Sequence, residues 1–218
     1  MATAVRLYAY EVEFSEVIKR RKMVRAFTGQ PLAAGTADRL LRAANRAPSA
    51  GFSQGYSFLV LEGTQQCAPL WEIGQDAASA GDIPAEMRAM MEAMSRAPLV
   101  IVPLACKDIY LDRYAQPDKG WADRDESHWP VPYWYIDTGF TALLILLAAV
   151  DEGLGAVFFG IMPEEMSDFR SRFEVPEEWT PIGGIAIGHI APEAEQMPSS
   201  ARSIARKSLD ELVHRGRW

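Results

Sequence analysis

One long apolar stretch, from Trp134 to Glu152, limits the possible folds of this chain more than any other segment. It is apolar on nearly every face of a helix, and Gly153 just beyond its end suits a left-handed C-cap. Its longest apolar run, Phe140 to Val150 with only Thr141 interrupting, is much shorter than the roughly 18–20 residues of a membrane span. The pattern predicts a buried central helix in a soluble protein that does not enter a membrane. A second subunit is expected to supply part of its apolar cover.

Shorter segments on both sides of this stretch predict a small sheet surrounded by helices. Runs of β-branched, aromatic or glycine-punctuated apolar residues predict strands at Tyr56–Leu61, Leu99–Leu104, Gly155–Gly160 and Pro181–Gly188. Apolar spacing, prolines and capping residues predict helices over Glu13–Arg21, from an N-cap at Thr36, after Thr64, after Pro84 and from Pro163. Few strands among many helices predict an α+β fold with a mainly antiparallel or mixed sheet.

The chain is predicted to form one domain over residues 1–218, because no linker rich in proline, glycine or serine divides it. Residues 107–132 mix charged and aromatic side chains, so we expect an excursion from the core that covers the active site. Its candidate substrate contacts are Tyr110, Tyr114, Trp121, His128 and Trp129, although packing within the loop is the more common role for any one such side chain.

Charge and cysteine usage exclude several classes of protein. The net charge of −7 argues against a general nucleic-acid binder, which depends on counterion release by basic residues. Cys67 and Cys106 form no CxxC pattern, and the three histidines are far apart in sequence, so no metal site is expected. The N-terminal residues lack the apolar core of a signal peptide. These features predict a cytoplasmic protein with reduced thiols.

Two basic clusters stand out in this acidic chain. Arg20, Arg21, Lys22 and Arg25 lie within six residues at a predicted helix end, and Arg206 and Lys207 lie near the C-terminus. The first cluster taken alone indicates either a solvated helix face or a local site for an anion. The phosphate loops GxGxxG and GxxxxGK[ST] are absent in the required context, and so is the GxSxG elbow of nucleophilic hydrolases. No side-chain nucleophile is expected.

Five segments in order resemble the FMN-dependent nitroreductase family, from about Val17 to the C-terminus. The first two are Arg21–Phe27, similar to the family's Arg-Arg-Ser-x-Arg-x-Phe motif, and Ala47–Gln54, similar to its Ala-Pro-Ser-x-x-Asn-x-Gln loop. The others are Gly153–Gly160, Val175–Gly188 and Arg206–His214. Family members are intertwined homodimers with a flavin at the interface, so the resemblance implies a homodimer that shares its cofactor sites.

The resemblance also implies which residues hold the cofactor. Arg21 and Arg206 should bind the FMN phosphate, with Lys22 near the phosphate or the ribityl chain. Arg25 should face the pyrimidine edge of the flavin and stabilise its reduced, anionic form. The remaining implied contacts are Met23 through its backbone, a loop reaching in from the partner subunit at Pro48, Ser49, Ala50, Gly51 and Ser53, and a strand lying against the ring at Phe158, Phe159 and Gly160.

The chain departs from the family pattern at several positions. Met23 replaces the usual serine, so any flavin contact there is main-chain or apolar. Phe52 stands where asparagine is common, and Gly55-Tyr56 replaces Pro-Trp. These changes remove polar groups beside the flavin and favour a larger or more hydrophobic substrate.

The resemblance implies an oxidoreductase that transfers a hydride from NAD(P)H through bound FMN to a nitroaromatic, a quinone or a related electrophile by a ping-pong mechanism. Two alternatives stay open at this point. The first is a protein that binds or sequesters FMN without turnover, with the space over the ring filled by Phe52 or another aromatic side chain. The second is a specialised flavin reductase or dehalogenase acting on an enone, a halogenated phenol or a deazaflavin-related metabolite.

Overall fold

The computed structural model of the protein describes residues 13–80 and 84–218. The N-terminal residues 1–12, on which the expectation of no signal peptide rests, lie outside the described residues. The described strands are β1 Tyr56–Glu62, β2 Leu99–Ala105, β3 Gly155–Phe159, β4 Thr180–Pro181 and β5 Gly184–Gly188. They form a sheet in the order β1-β2-β5-β3, in which every ladder is antiparallel and the short β4 pairs with β2. The predicted α+β class is confirmed.

Helices cover both faces of this sheet. Their bounds are α1 Phe14–Arg20, α2 Thr36–Ala44, α3 Gly63–Ala80, α4 Ala85–Ser95, α5 Lys107–Tyr114, α6 Tyr133–Asp151, α7 Met166–Phe173 and α8 Leu209–Leu212. One apolar cluster joins the sheet to α3, α4 and α7, and a second joins the opposite face to α2 and α6. The described residues therefore form three layers, with the sheet between two layers of helices.

Strand β2 explains why the sheet lies in the middle. Val100 and Val102 belong to the cluster on the α3 side, whereas Leu99 and Ile101 belong to the cluster on the α6 side. All seven residues of β2 are buried, as the continuous apolar run of its sequence predicts for a strand covered on both faces.

The central helix α6 is confirmed, and Gly153 beyond it has φ +73°. The described residues do not cover it all round, because Ile136, Phe140 and Leu143 are 38–48% exposed and share one face at i, i+4, i+7 spacing. By length and composition, α6 is long and apolar enough to cross a membrane. The expectation that this segment is too short for a membrane span is therefore wrong. Half of that apolar window is buried inside the protein, and core helices of soluble proteins meet the same criteria.

Two sequence expectations fail for local reasons. Thr36 is not the N-cap of α2, because Gly35 takes that position with φ +75° and the Thr36 hydroxyl donates to the Ala33 carbonyl at 2.7 Å. The strand predicted over Pro181–Gly188 is interrupted at Gly183, whose φ of +145° breaks it into β4 and β5.

The segment 107–132 is only partly an excursion from the core. It begins with α5, in which Tyr110 is fully buried and Leu111 is 8% exposed. The expectation of no core element there is wrong, because α5 packs Tyr110 against Trp134 of α6 and Ala105 at the end of β2. The remainder of the segment is largely exposed.

Candidate cofactor and substrate site

A cavity of about 490 Å³ lies between α3, α4 and the end of β3. Its walls bring together residues that are distant in sequence, among them Arg25, Trp71, Met94, Phe158, Phe159 and Gly160. Four of the predicted cofactor residues therefore lie around one space of the size typical for small-molecule sites, about 300–1,000 Å³.

The segment after α1 carries Arg25 to this cavity. It runs beside β3, where Met23 forms a parallel bridge with Ala156 and the Val24 N–H donates to the Ala156 carbonyl at 2.9 Å. Val24 is buried and anchors the segment, while Arg25 is half-buried. The Arg25 guanidinium donates to the Met23 carbonyl at 3.4 Å and has no carboxylate partner among residues 13–80 and 84–218. Its charge is available to a ligand in the cavity.

The other predicted cations have different surroundings. Arg21 is half-buried just after α1, and its side chain has no partner within the described ranges. Lys22 pairs with Glu195, so this ammonium group would have to leave the carboxylate to reach a phosphate. Arg206 lies in the exposed C-terminal segment and not in the lining of the cavity. One chain therefore does not bring Arg206 to the cavity that Arg25 lines.

Phe158 and Phe159 lie on opposite faces of β3, since side chains alternate along a strand. Phe159 packs against Trp71 of α3, with ring centroids 5.3 Å apart, while Phe158 joins the cluster on the α6 side. Both rings pass over glycines, because a Cβ added at Gly184 would lie 2.4 Å from Phe159 Cζ and one at Gly183 would lie 2.5 Å from Phe158 Cζ. The two rings therefore pack into different layers of the fold.

The predicted cofactor loop, residues 48–53, lies outside the cavity lining and has an unusual backbone. Ala50–Phe52 form one tight turn in which Gly51 has φ +59° and Phe52 has φ +55°. A positive φ is uncommon for a phenylalanine and marks a constrained segment. Phe52 itself is 72% exposed. The Ser53 hydroxyl donates to the Ala50 carbonyl at 2.6 Å, and Ser49 Oγ accepts from the Gln54 N–H at 3.0 Å.

Sequence reasoning missed Asp137, a buried carboxylate on α6 that holds this loop. Asp137 is 3% exposed, and its Oδ2 accepts from the Ala50 N–H at 2.8 Å and from the Tyr110 hydroxyl at 2.9 Å. Burial, together with the bond to Asp137, raises the pKa of Tyr110 well above its usual value, so this hydroxyl remains a donor. The available signal was Asp137 itself, the only acid of α6 before its last residue.

Helix α5 restrains the same loop from the other side. Arg113 Nε donates to the Gly51 carbonyl at 3.0 Å, and its terminal nitrogens bind both carboxylate oxygens of Asp118 at 2.8 and 2.7 Å. Tyr114 lies so close that a Cβ at Gly51 would be 2.7 Å from its ring. The loop is therefore held by α5 and α6, and its shape depends on both helices.

The aromatic side chains proposed as substrate contacts pack mainly against one another. Tyr114 and Trp129 have ring centroids 4.4 Å apart, and Trp121 stacks on His128 at 4.9 Å. The His128 ring nitrogen bonds Asp123 at 3.0 Å. This cluster is joined to α5 through Tyr114 and does not line the cavity beside Arg25.

Both cysteines of the chain are free and buried. Burial raises the pKa of the Cys67 thiol to about 11, and the thiol donates to the Leu61 carbonyl at 3.3 Å. Cys106 is buried and free. Within the described part of the chain, no three His, Cys, Asp or Glu side chains gather as a metal-binding group.

Comparison with known proteins identifies the family. A family model described as the nitroreductase family matches residues 18–189. The chain belongs to the nitroreductase family. Membership makes it an oxidoreductase. A protein of Methanothermobacter thermautotrophicus, provisionally named NADH dehydrogenase/NAD(P)H nitroreductase, is 26% identical over 184 residues, which cover 83% of this chain and 79% of that protein. An NADPH-dependent oxidoreductase of Staphylococcus epidermidis is 23% identical over 189 residues, covering 84% and 67%.

Solved structures show the same fold. A variant of the FMN and NADPH-dependent nitroreductase NfnB from Sphingopyxis sp. strain HMH matches with a TM-score of 0.71 at 19% identity, covering 95% of this chain and 100% of that chain. The nitroreductase CinD from Lactococcus lactis, in complex with chloramphenicol, matches with a TM-score of 0.67 at 20% identity, covering 89% and 100%. The chain has the nitroreductase fold.

Proposed function

We propose that this member of the nitroreductase family is a cytoplasmic, FMN-dependent oxidoreductase. It passes two electrons from NAD(P)H to a nitroaromatic, a quinone or a related electrophile by a ping-pong mechanism. The observation that carries the proposal is Arg25, a cation without a carboxylate partner in the described residues, beside a cavity that it shares with Phe158, Phe159 and Gly160. The relatives named for NAD(P)H and NADPH, and the FMN-dependent neighbour, support the choice of donor and cofactor.

The residues around the cavity suit the ring of a flavin. When bound, FMN would supply hydride acceptance from NAD(P)H and two-electron donation to the acceptor. Arg25 would lie at the pyrimidine edge, where its charge stabilises negative charge on the reduced ring. Exposed Gly160, at the end of β3, leaves backbone groups accessible because it has no side chain. Arg21 would bind the phosphate, since its guanidinium has no partner in the described ranges.

We further propose a homodimer in which the loop at 48–53 and the segment carrying Arg206 reach the partner's flavin. The support is unpaired apolar surface, namely the α6 face of Ile136, Phe140 and Leu143, and C-terminal Leu209 and Trp218, which are 75% and 98% exposed. Exposed apolar surface of this kind is typical of protein interfaces, and the three α6 side chains share one helix face. Sedimentation equilibrium should give twice the mass of one chain. A monomer at concentrations where FMN binds would contradict the shared site.

Uptake of FMN tests the proposed cofactor. The chain, freed of flavin and then incubated with FMN, should elute from gel filtration with the absorbance of a flavin. A chain that elutes colourless after incubation with excess FMN contradicts the proposal.

The substitution Arg21→Ala should weaken FMN binding by about 2–4 kcal/mol, because a charge-assisted contact with the phosphate is lost. Fluorescence titration of FMN measures the change. Arg20→Ala is a matched control, since Arg20 is the exposed neighbour at the end of α1 and has no assigned contact. Equal losses for Arg20 and Arg21 would indicate a general charge effect and no phosphate contact.

The substitution Arg25→Ala should lower the two-electron potential of the bound flavin by about 30–60 mV, the equivalent of one hydrogen bond to a charged group. Spectroelectrochemical titration measures this potential. Arg25→Lys keeps the charge and should retain part of the effect. A potential equal to that of the unaltered protein would remove the electronic role of Arg25.

A further inference from the structure

Helix α4 presents four methionines to a single cavity. Met87, Met90, Met91 and Met94 follow the i, i+3, i+4, i+7 spacing of one helix face, and all four line the cavity beside Arg25. Met162 lies on the same lining, so five of the nine methionines in the chain surround one space. We propose that this methionine face binds the apolar body of an aromatic electron acceptor and selects acceptors that carry an apolar substituent. This inference rests on the proposed function.

The size of the cavity argues for a ligand and against simple core packing. Pockets that bind small molecules typically have volumes of about 300–1,000 Å³. The space beside α4 measures about 490 Å³. Met87 is 45% exposed and Met94 is 7% exposed, while Met90 and Met91 between them are half-buried. The cavity therefore opens to solvent near Met87 and extends inward along α4 to Met94.

The charges on the lining favour a weakly polar ligand with one electron-rich group. Arg25 is the one cation among the described lining residues, and the proposed function already places it at the flavin, so its positive charge lies at the end of the acceptor that faces the ring. Glu165 accepts from the Met162 N–H at 2.8 Å, and Glu164 lies beside it on the lining. Two carboxylates at this end disfavour acceptors that carry several negative charges. The lining offers few other polar groups, so the body of the ligand is expected to be apolar.

Methionine suits this role better than leucine or valine. Its side chain is unbranched and its sulfur is polarisable, so it adapts to ligands of different shape and makes favourable contacts with aromatic rings. The shared walls at Arg25 and Phe158–Gly160 place such a ligand next to the proposed flavin ring. For a quinone, the acceptor and one NAD(P)H with one proton give the hydroquinone and NAD(P)⁺, so no other reactant is required.

A pair of acceptors tests the selection. We expect the kcat/KM for a 2-alkyl-1,4-naphthoquinone to exceed that for unsubstituted 1,4-naphthoquinone. Met90→Gln and Met91→Gln, which keep similar side-chain length but add a polar amide, should each lower this preference about tenfold. Met197→Gln is the matched control, because Met197 is also half-buried but lies outside the cavity lining, and it should leave the preference unchanged. No preference in the unaltered protein, or an equal shift with Met197→Gln, would overturn the proposal.

Binding of a 2-alkylnaphthalene, which cannot be reduced, separates this inference from the proposed function. Calorimetric titration of the FMN-loaded protein should show binding that is weakened about tenfold by Met90→Gln. Loss of probe binding on loading with FMN would mean that the flavin itself fills the cavity, which overturns the inference. A chain that takes up FMN but not the probe also overturns the inference alone. A chain that takes up the probe but no FMN overturns the proposed function and leaves the apolar selectivity of the cavity in place.

Discussion

The substitution Asp137→Ala should lower the free energy of unfolding by about 3 kcal/mol, because a buried hydroxyl and a backbone N–H each lose their acceptor. Both groups, the Tyr110 hydroxyl and the Ala50 N–H, bond to the same carboxylate oxygen, and Tyr110 is fully buried. The loop at 48–53 also loses its attachment to α6, so FMN affinity should fall in the proposed site. Urea denaturation followed by circular dichroism measures the stability.

Two further variants separate the hydrogen bonds from general packing. Asp137→Asn keeps an oxygen acceptor at nearly the same place and should lose about 1 kcal/mol, the worth of one ordinary hydrogen bond. The double variant Asp137→Ala/Tyr110→Phe should lose less unfolding free energy than the two single variants together, since each substitution removes the hydrogen-bond partner of the other residue. Additive losses, or equal losses for the alanine and asparagine variants, would show that Asp137 does not act through these bonds.

The substitution Gly183→Ala should lower the free energy of unfolding by about 4 kcal/mol, the sum of a strained backbone and an overpacked contact. Gly183 has φ +145°, and an added Cβ would lie 2.6 Å from the Phe159 carbonyl oxygen and 2.5 Å from the Phe158 ring. The contact with a backbone atom cannot be relieved by turning a side chain. The end of β3 must therefore shift, which moves the cavity wall beside Arg25.

Gly153→Ala is the matched control for this prediction. Gly153 also has a positive φ, of +73°, but an added Cβ there meets no atom within 4 Å. The Gly153→Ala variant should lose about 1 kcal/mol of unfolding free energy, because only the backbone conformation is unfavourable for alanine. Thermal unfolding of both variants measures the difference, and similar losses at the two glycines would show that the contact with β3 is not responsible.

Local pattern was sufficient for most elements of this fold. The continuous apolar run of β2 predicted a strand buried on both faces, and the apolar stretch ending at Gly153 predicted α6, because burial and capping depend on neighbouring residues. The boundary at Thr36 and the break at Gly183 could not be predicted in this way. Both depend on left-handed or unusual glycine conformations that several glycines in the sequence could equally adopt.

The candidate site depends on contacts between distant residues. Asp137 binds Ala50, 87 residues away, and Tyr110, 27 residues away, and no local spacing connects the three. The basic run indicated either a solvated helix face or an anion site, and the family resemblance singled out Arg25. Only the fold shows that this side chain shares a cavity with the methionines of α4. The sequence predicted a helix after Pro84 but not the empty space that its methionine face lines.

Anaerobic reduction of the FMN-loaded protein tests the central proposal, flavin-dependent oxidoreductase activity at the Arg25 cavity. In a stopped-flow instrument, the absorbance of the bound flavin should bleach on mixing with NADPH or NADH and return when a quinone is added after the nicotinamide has been removed. Recovery in that order is the behaviour of a ping-pong enzyme. A protein that holds FMN firmly but shows no bleaching with either donor would contradict the account and would indicate a flavin-storing protein.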